Sequence, residues 1–165
     1  MPKLKNELMA ETDGVLAQLE GGKNQPVAWC VARNRAKLEK PMADLRKMLE
    51  STPAMKKLNE AIQKAAEEFA EKGPDGKPKT NIQNDRVVMP LADIAGYTAA
   101  VEALRASEDH AQALTDEKDL KEKEETLLQE ETDFEPFKLK IDRVKDGDMN
   151  GAQMKVLFKA GILED

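Results

Sequence analysis

One position in every three or four from Val27 to Thr52 falls on a single helical stripe: Val27, Val31, Asn34, Leu38, Pro41, Leu45, Met48 and Thr52. A second stripe follows at once through Met55, Leu58, Ile62, Ala65 and Phe69. Alternating steps of three and four hold side chains on one face of an α-helix, which turns once per 3.6 residues. Each face needs a cover, and the neighbouring stripe is the nearest. The pattern therefore predicts an antiparallel pairing of residues 26–51 and 53–72.

Other elements follow from punctuation. Leu4, Leu8, Val15, Leu16 and Leu19 predict a first helix over residues 3–20, stopped by Gly21-Gly22 because glycine accepts the left-handed geometry of a helix end. Asn24 suits the N-cap of the second helix and Pro26 its first turn. Pro41 should kink or divide that helix, at a cost of about 3 kcal/mol unless a bend is wanted. Gly73-Pro74-Asp75-Gly76-Lys77-Pro78 is the strongest break in the chain. Arg86-Val87-Val88-Met89 reads as a strand. A helix from Asp93 carries Ile94, Tyr97, Val101 and Leu104 on one face, and Thr115 caps a charged helical segment through Glu125. Phe134, Phe137, Leu139 and Ile141 partly alternate with polar residues, giving a strand at 137–141 to pair with 86–89. A last helix starts near Asn150.

The fold class expected is mainly α: a helical hairpin or bundle of elongated amphipathic helices with a minor two-stranded β element. The organisation expected is one structural domain, with a three-helix region at 1–72, a loop and strand at 73–92, and a C-terminal helical region at 93–165. Aromatic residues are 4% and charged residues 35% of the 165, so apolar stripes rather than a broad core must hold it together. Long seams of this kind also suggest coiled-coil-like closure by self-association, in a homo-oligomer with Asn34 setting the register.

The formal charge of −6 disfavours nucleic acid as a partner, and no apolar run approaches the ~18 residues of a membrane span. The charge is uneven. Residues 23–48 are basic and residues 116–131 acidic, the simplest reading being two solvated helix faces that attract each other weakly. With a single cysteine, Cys30, and no N-terminal apolar h-region, a reducing cytoplasm is the expected compartment.

Candidate chemistry is sparse. Asp146-Gly147-Asp148-Met149-Asn150-Gly151 opens like a calcium loop, but its twelfth position, where a bidentate carboxylate belongs, is Leu157. The favoured reading is a turn whose Asp148 or Asn150 caps the last helix. His110 lacks partners at zinc spacing and reads as a solvated helix histidine. Nucleophilic catalysis would need Cys30 or a serine with His110 as base, and nothing local supports it. The expectation is no catalytic, cofactor or metal site. The single cluster with contact chemistry is Trp29, Arg33, Lys37 and Lys40, with Arg35 nearby. Tryptophan and arginine are enriched where proteins touch, yet the frequency with which large aromatics are buried favours Trp29 in the core and the arginines in solvent.

The order of features resembles a family of small phage and prophage proteins. The matching pieces are Lys3-Leu4-Lys5-Asn6-Glu7 before a leucine-rich helix, and Arg33-Asn34-Arg35 after the Gly-Gly break. Glu67-Glu68-Phe69-Ala70-Glu71-Lys72 running into Asp75-Gly76-Lys77-Pro78-Lys79-Thr80 follows, then Leu127-Leu128, and last a short helix after Asn150-Gly151. The resemblance implies a phage accessory or virion-assembly protein. Its contacts would be helix-mediated and made with a phage or host protein, in the host bacterial cytoplasm or on the virion. The alternative is a regulator or inhibitor of a host defence protein, engaged through the acidic 108–131 region.

Overall fold

The computed structural model describes residues 2–83 and 86–165, with only the backbone at Arg86. The chain is mainly α-helical, in the order β1 (Lys3–Lys5), α1 (Asn6–Gln18), α2 (Gln25–Met48), α3 (Pro53–Phe69), β2 (Asn81–Gln83), β3 (Arg86–Val88), α4 (Ile94–Ala106), α5 (Ala111–Gln129), β4 (Glu131–Asp133), β5 (Leu139–Lys140), α6 (Gly151–Lys159) and β6 (Leu163–Glu164). Short 3₁₀ turns lie at Glu108–His110 and Ile141–Arg143.

These elements form two compact units, residues 1–50 with 122–165, and residues 51–121. The division cuts across the one read from punctuation: residues 51–72 belong with the fourth helix rather than with the first two. Each apolar stripe is accordingly covered inside its own unit. α2 packs on α1 and α3 on α4, in place of the expected pairing of residues 26–51 with 53–72. Burial follows most of the stripes, while Met48 on the first is exposed. Val27, Val31, Asn34, Leu38 and Leu45 are buried on α2, as are Met55, Leu58 and Ala65 on α3. α2 runs unbroken through Pro41, whose ring lies half-buried on the stripe.

In the first unit, α1 packs against both α2 and α6. The core joins Leu4, Met9, Leu16, Val27, Leu38 and Leu157 with Phe134 and Ile162. β1 pairs antiparallel with β4, setting Lys3 opposite Asp133, Leu4 opposite Thr132 and Lys5 opposite Glu131. Leu4 turns inward while the flanking lysines face acidic partners, and opposite charges across a ladder favour the pairing. Residues 3–5 are thus a strand and not the first turn of a helix. β5 pairs in parallel with β6, Leu139 opposite Leu163. The expected pairing of 137–141 with 86–89 is replaced by this contact with the chain end, and by an antiparallel hairpin of β2 with β3.

In the second unit, α3 stops at Phe69 because Ala70 is extended. The strip that follows is pinned by hydrogen bonds from Glu71 N to Pro90 O (2.8 Å) and from Ala92 N to Phe69 O (2.9 Å). Thr52 caps α3 by accepting from Met55 N, and Asp93 caps α4 by accepting from Gly96 N. Thr115 lies inside α5, not at its cap. His110, expected in solvent, is buried.

Candidate functional site

The outer face of α2 is set by the same arithmetic as its buried stripe. Trp29, Arg33, Lys37 and Lys40 recur at steps of four, four and three, so they share a face offset from Val27, Val31 and Asn34. Trp29 is therefore outside the core, contrary to the favoured expectation: 51% of its surface is exposed. The buried arc is already filled by Val27, Cys30 and Val31.

Trp29 is nonetheless held in place. Its ring meets Phe137 edge-on, with centroids 4.4 Å apart and planes at 86°, a geometry favoured by the ring quadrupoles. The Arg33 guanidinium carbon lies 5.0 Å from the indole centroid, within cation–π range. Phe137 is fixed by Asn34. Phe137 N donates to Asn34 Oδ1 (2.8 Å), and Asn34 Nδ2 donates to Phe137 O (2.8 Å) and to Cys30 O (3.0 Å). The Cys30 thiol also donates to Phe137 O at 3.4 Å, and Lys37 Nζ to Glu135 O at 2.7 Å. A buried amide on the stripe thus orders the 135–137 segment, which supports the exposed indole. Asn34 completes its hydrogen bonds within the chain.

A shallow apolar depression adjoins Trp29, lined by Gln25, Pro26, Ala28, Trp29 and Arg143. Arg143 is brought there by the loop before α6. Asn24 does not cap α2 with its side chain. Its amide instead donates to Arg143 O (2.8 Å) and to Asp148 Oδ2, which also accepts from Lys145 N at 2.7 Å. The amide of Asn24, then the backbone N–H of Lys145, hold the Asp148 carboxyl below its usual pKa. This is the calcium-like sequence. Its carboxylate serves as a clasp, Leu157 at the twelfth position is buried, and Asn150 closes a capping box with Gln153 at the start of α6. Among the described residues no group of three metal-ligating side chains occurs.

The cations of α2 divide by face. On the α1 side, Arg35 pairs with Glu20 and, at 3.9 Å, with Asp13, while Arg46 reaches Asp13 at 3.3 Å. The counter-charge for these arginines comes from Asp13 on α1 and from Glu20 just beyond its end. On the Trp29 side, no carboxylate among the described residues pairs with Arg33, Lys37 or Lys40. Arg143 makes only a long contact, 3.8 Å, to its neighbour Asp142.

Cys30 is buried, and desolvation raises its thiol to about pKa 11 despite the Asn34 hydrogen bond. It is a packing residue, since the thiolate is the reactive form. It belongs to the first unit, and His110 to the second. No helix among the described residues is long and apolar enough to cross a membrane. Comparison with family models, curated proteins and solved structures gives no match.

Proposed function

We propose that this chain is a non-enzymatic protein-contact module that engages its partner through the outer face of α2. The observation that carries this reading is Trp29: a half-exposed indole, braced by Phe137 and stacked by Arg33, on a face whose cations pair with no carboxylate among the described residues. Interface hot spots are enriched in Trp and Arg, and they gain from being ordered before binding. In the setting implied by the resemblance to phage proteins, the partner is a phage or host protein and the role is accessory or assembly. The chain acts there in the host cytoplasm or on the virion.

The test is affinity purification of the tagged protein from infected host cells, followed by measured binding of the recovered partner. Arg33→Glu should weaken that binding strongly, with the fold intact by circular dichroism. Arg35→Glu should leave it nearly unchanged, because Arg35 is directed to Glu20 and Asp13 on the opposite side. Equal effects from both variants, or none from either, would reduce the face to solvated surface.

A further inference from the structure

We infer that the occupant of this face is an acidic peptide segment, with a large apolar side chain seated against Pro26, Ala28 and Trp29 and carboxylates meeting Arg33, Lys37 and Arg143. This inference rests on the contact reading of α2 and adds the chemistry of the partner.

Three observations converge. The depression beside Trp29 is lined by Pro26, Ala28 and Trp29, with Gln25 and Arg143 alongside. Along the helix from there, Arg33, Lys37 and Lys40 are cationic and pair with no carboxylate among the described residues, whereas Arg35 and Arg46 one face away are paired. The depression is also pre-ordered by hydrogen bonds that do not use the exposed groups: Asn34 to Phe137, and Asn24 to the Arg143 carbonyl. From Trp29 to Lys40 the helix rises about 16 Å at ~1.5 Å per residue. An extended strand of about five residues covers that length at ~3.3 Å each. Charge complementarity then fixes orientation and speeds encounter.

Other polyanions fit less well. A nucleobase needs an open ring face, and the Arg33 guanidinium already lies over one face of Trp29. A strand of phosphates also offers no apolar side chain for the surface of Pro26, Ala28 and Trp29. A lipid surface needs a continuous apolar helix face, and beyond Trp29 this one is cationic.

Trp29 is the single tryptophan of the chain, so its fluorescence reports on the site directly. The probes are a short synthetic peptide of glutamates around one leucine, the same peptide with glutamines, a short oligothymidylate, and phosphatidylserine vesicles. The expected result is a Trp29 emission change that saturates with the glutamate peptide and weakens with added salt, as screening requires. The paired variant Arg33→Gln with Lys37→Gln should lower the affinity about tenfold or more, and Arg35→Gln should leave it unchanged. Equal binding of the glutamine peptide would overturn the acidic class while leaving α2 a contact surface. Binding of oligothymidylate or vesicles in preference to the peptide would overturn it in favour of those ligands. No emission change with any probe, in protein folded by circular dichroism, would also overturn it. The recovery of partner by Arg33→Glu judges the contact reading separately.

Discussion

At the scale of single residues, Asn34 is the polar member of an otherwise apolar buried stripe. It is fully buried and satisfies both backbone polar groups of Phe137. Asn34→Ala would leave the part-buried Phe137 N–H without its acceptor, at a cost of about 1 kcal/mol for the lost hydrogen bond. Urea unfolding should show that loss, and Trp29 emission should shift because Phe137 loses its brace. Asn34→Asp keeps the acceptor but turns a carboxylate oxygen toward the Phe137 carbonyl, so it should not rescue stability. Unfolding midpoints equal to wild type for both variants would refute the clasp. Cys30 beside it gives a pH signature. Its folded pKa is raised to about 11 from 9.0. The stabilisation from keeping the thiol neutral is therefore complete below pH 9. It is lost as pH rises toward 11, because the unfolded chain releases the proton first. Cys30→Ala should show a flatter stability profile across that window, and the native thiol should alkylate far more slowly than the unfolded one. The burial of Asn34 was legible in the stripe. Its partner was not, because nothing near residue 34 encodes a contact 103 residues away. Trp29 was legible in part: it lies off the stripe that claims Val27 and Val31, and in register with Arg33. The general tendency of aromatics to be buried was the weaker guide.

At the scale of elements, helices followed from periodicity because their ladders are local, whereas strand partners did not. Residues 86–88 and 139–140 are strands as expected, yet each is only two or three residues long. A pattern that short fits any partner equally well, so pairing was settled by what the helices brought near. β1 was hidden for a related reason: Lys3-Leu4-Lys5 is compatible with a helix start, and only Glu131 and Asp133 opposite make it a strand. The packing of α3 on α4 has a sharper requirement. Gly96 sits where an added Cβ would come within 2.7 Å of Phe69 Cε1 and 2.3 Å of the capping carboxylate of Asp93. In an isolated helix, alanine is favoured over glycine by about 1 kcal/mol. Gly96→Ala should nevertheless destabilise the 51–121 unit, because Phe69 and the N-cap must both give way. A thermal or denaturant scan showing Gly96→Ala to be neutral or stabilising would show that both can relax. Ile82 and Val87 form a facing pair on the β2–β3 hairpin with most of their surface exposed.

At the scale of the whole molecule, the apolar core is unevenly shared. The continuous cluster from Leu4 to Leu163 lies entirely in residues 1–50 and 122–165. The 51–121 unit buries Met55, Leu58, Ala65, Ala70, His110 and Ala113, and α4 contains no fully buried residue. Apolar burial is the main favourable term in folding, and regions with few buried contacts open at lower free energy than the rest. Amide hydrogens of α3 and α4 should therefore exchange through local opening, faster than those of α1 and the buried stripe of α2. Gly96→Ala should speed exchange across α3 and α4 while leaving α1 and α2 protected. Asn34→Ala should do the reverse, loosening α2 and residues 134–139 first. Hydrogen–deuterium exchange with peptide resolution reads all three at once. The expected order places the α2 contact face on the more stable part of the chain, where Trp29 and Arg33 stay ordered before a partner arrives. Uniform protection across both units, or an effect of Gly96→Ala that spreads equally into α1 and α2, would mean that the chain opens as one cooperative body and that the difference in core size has no energetic consequence.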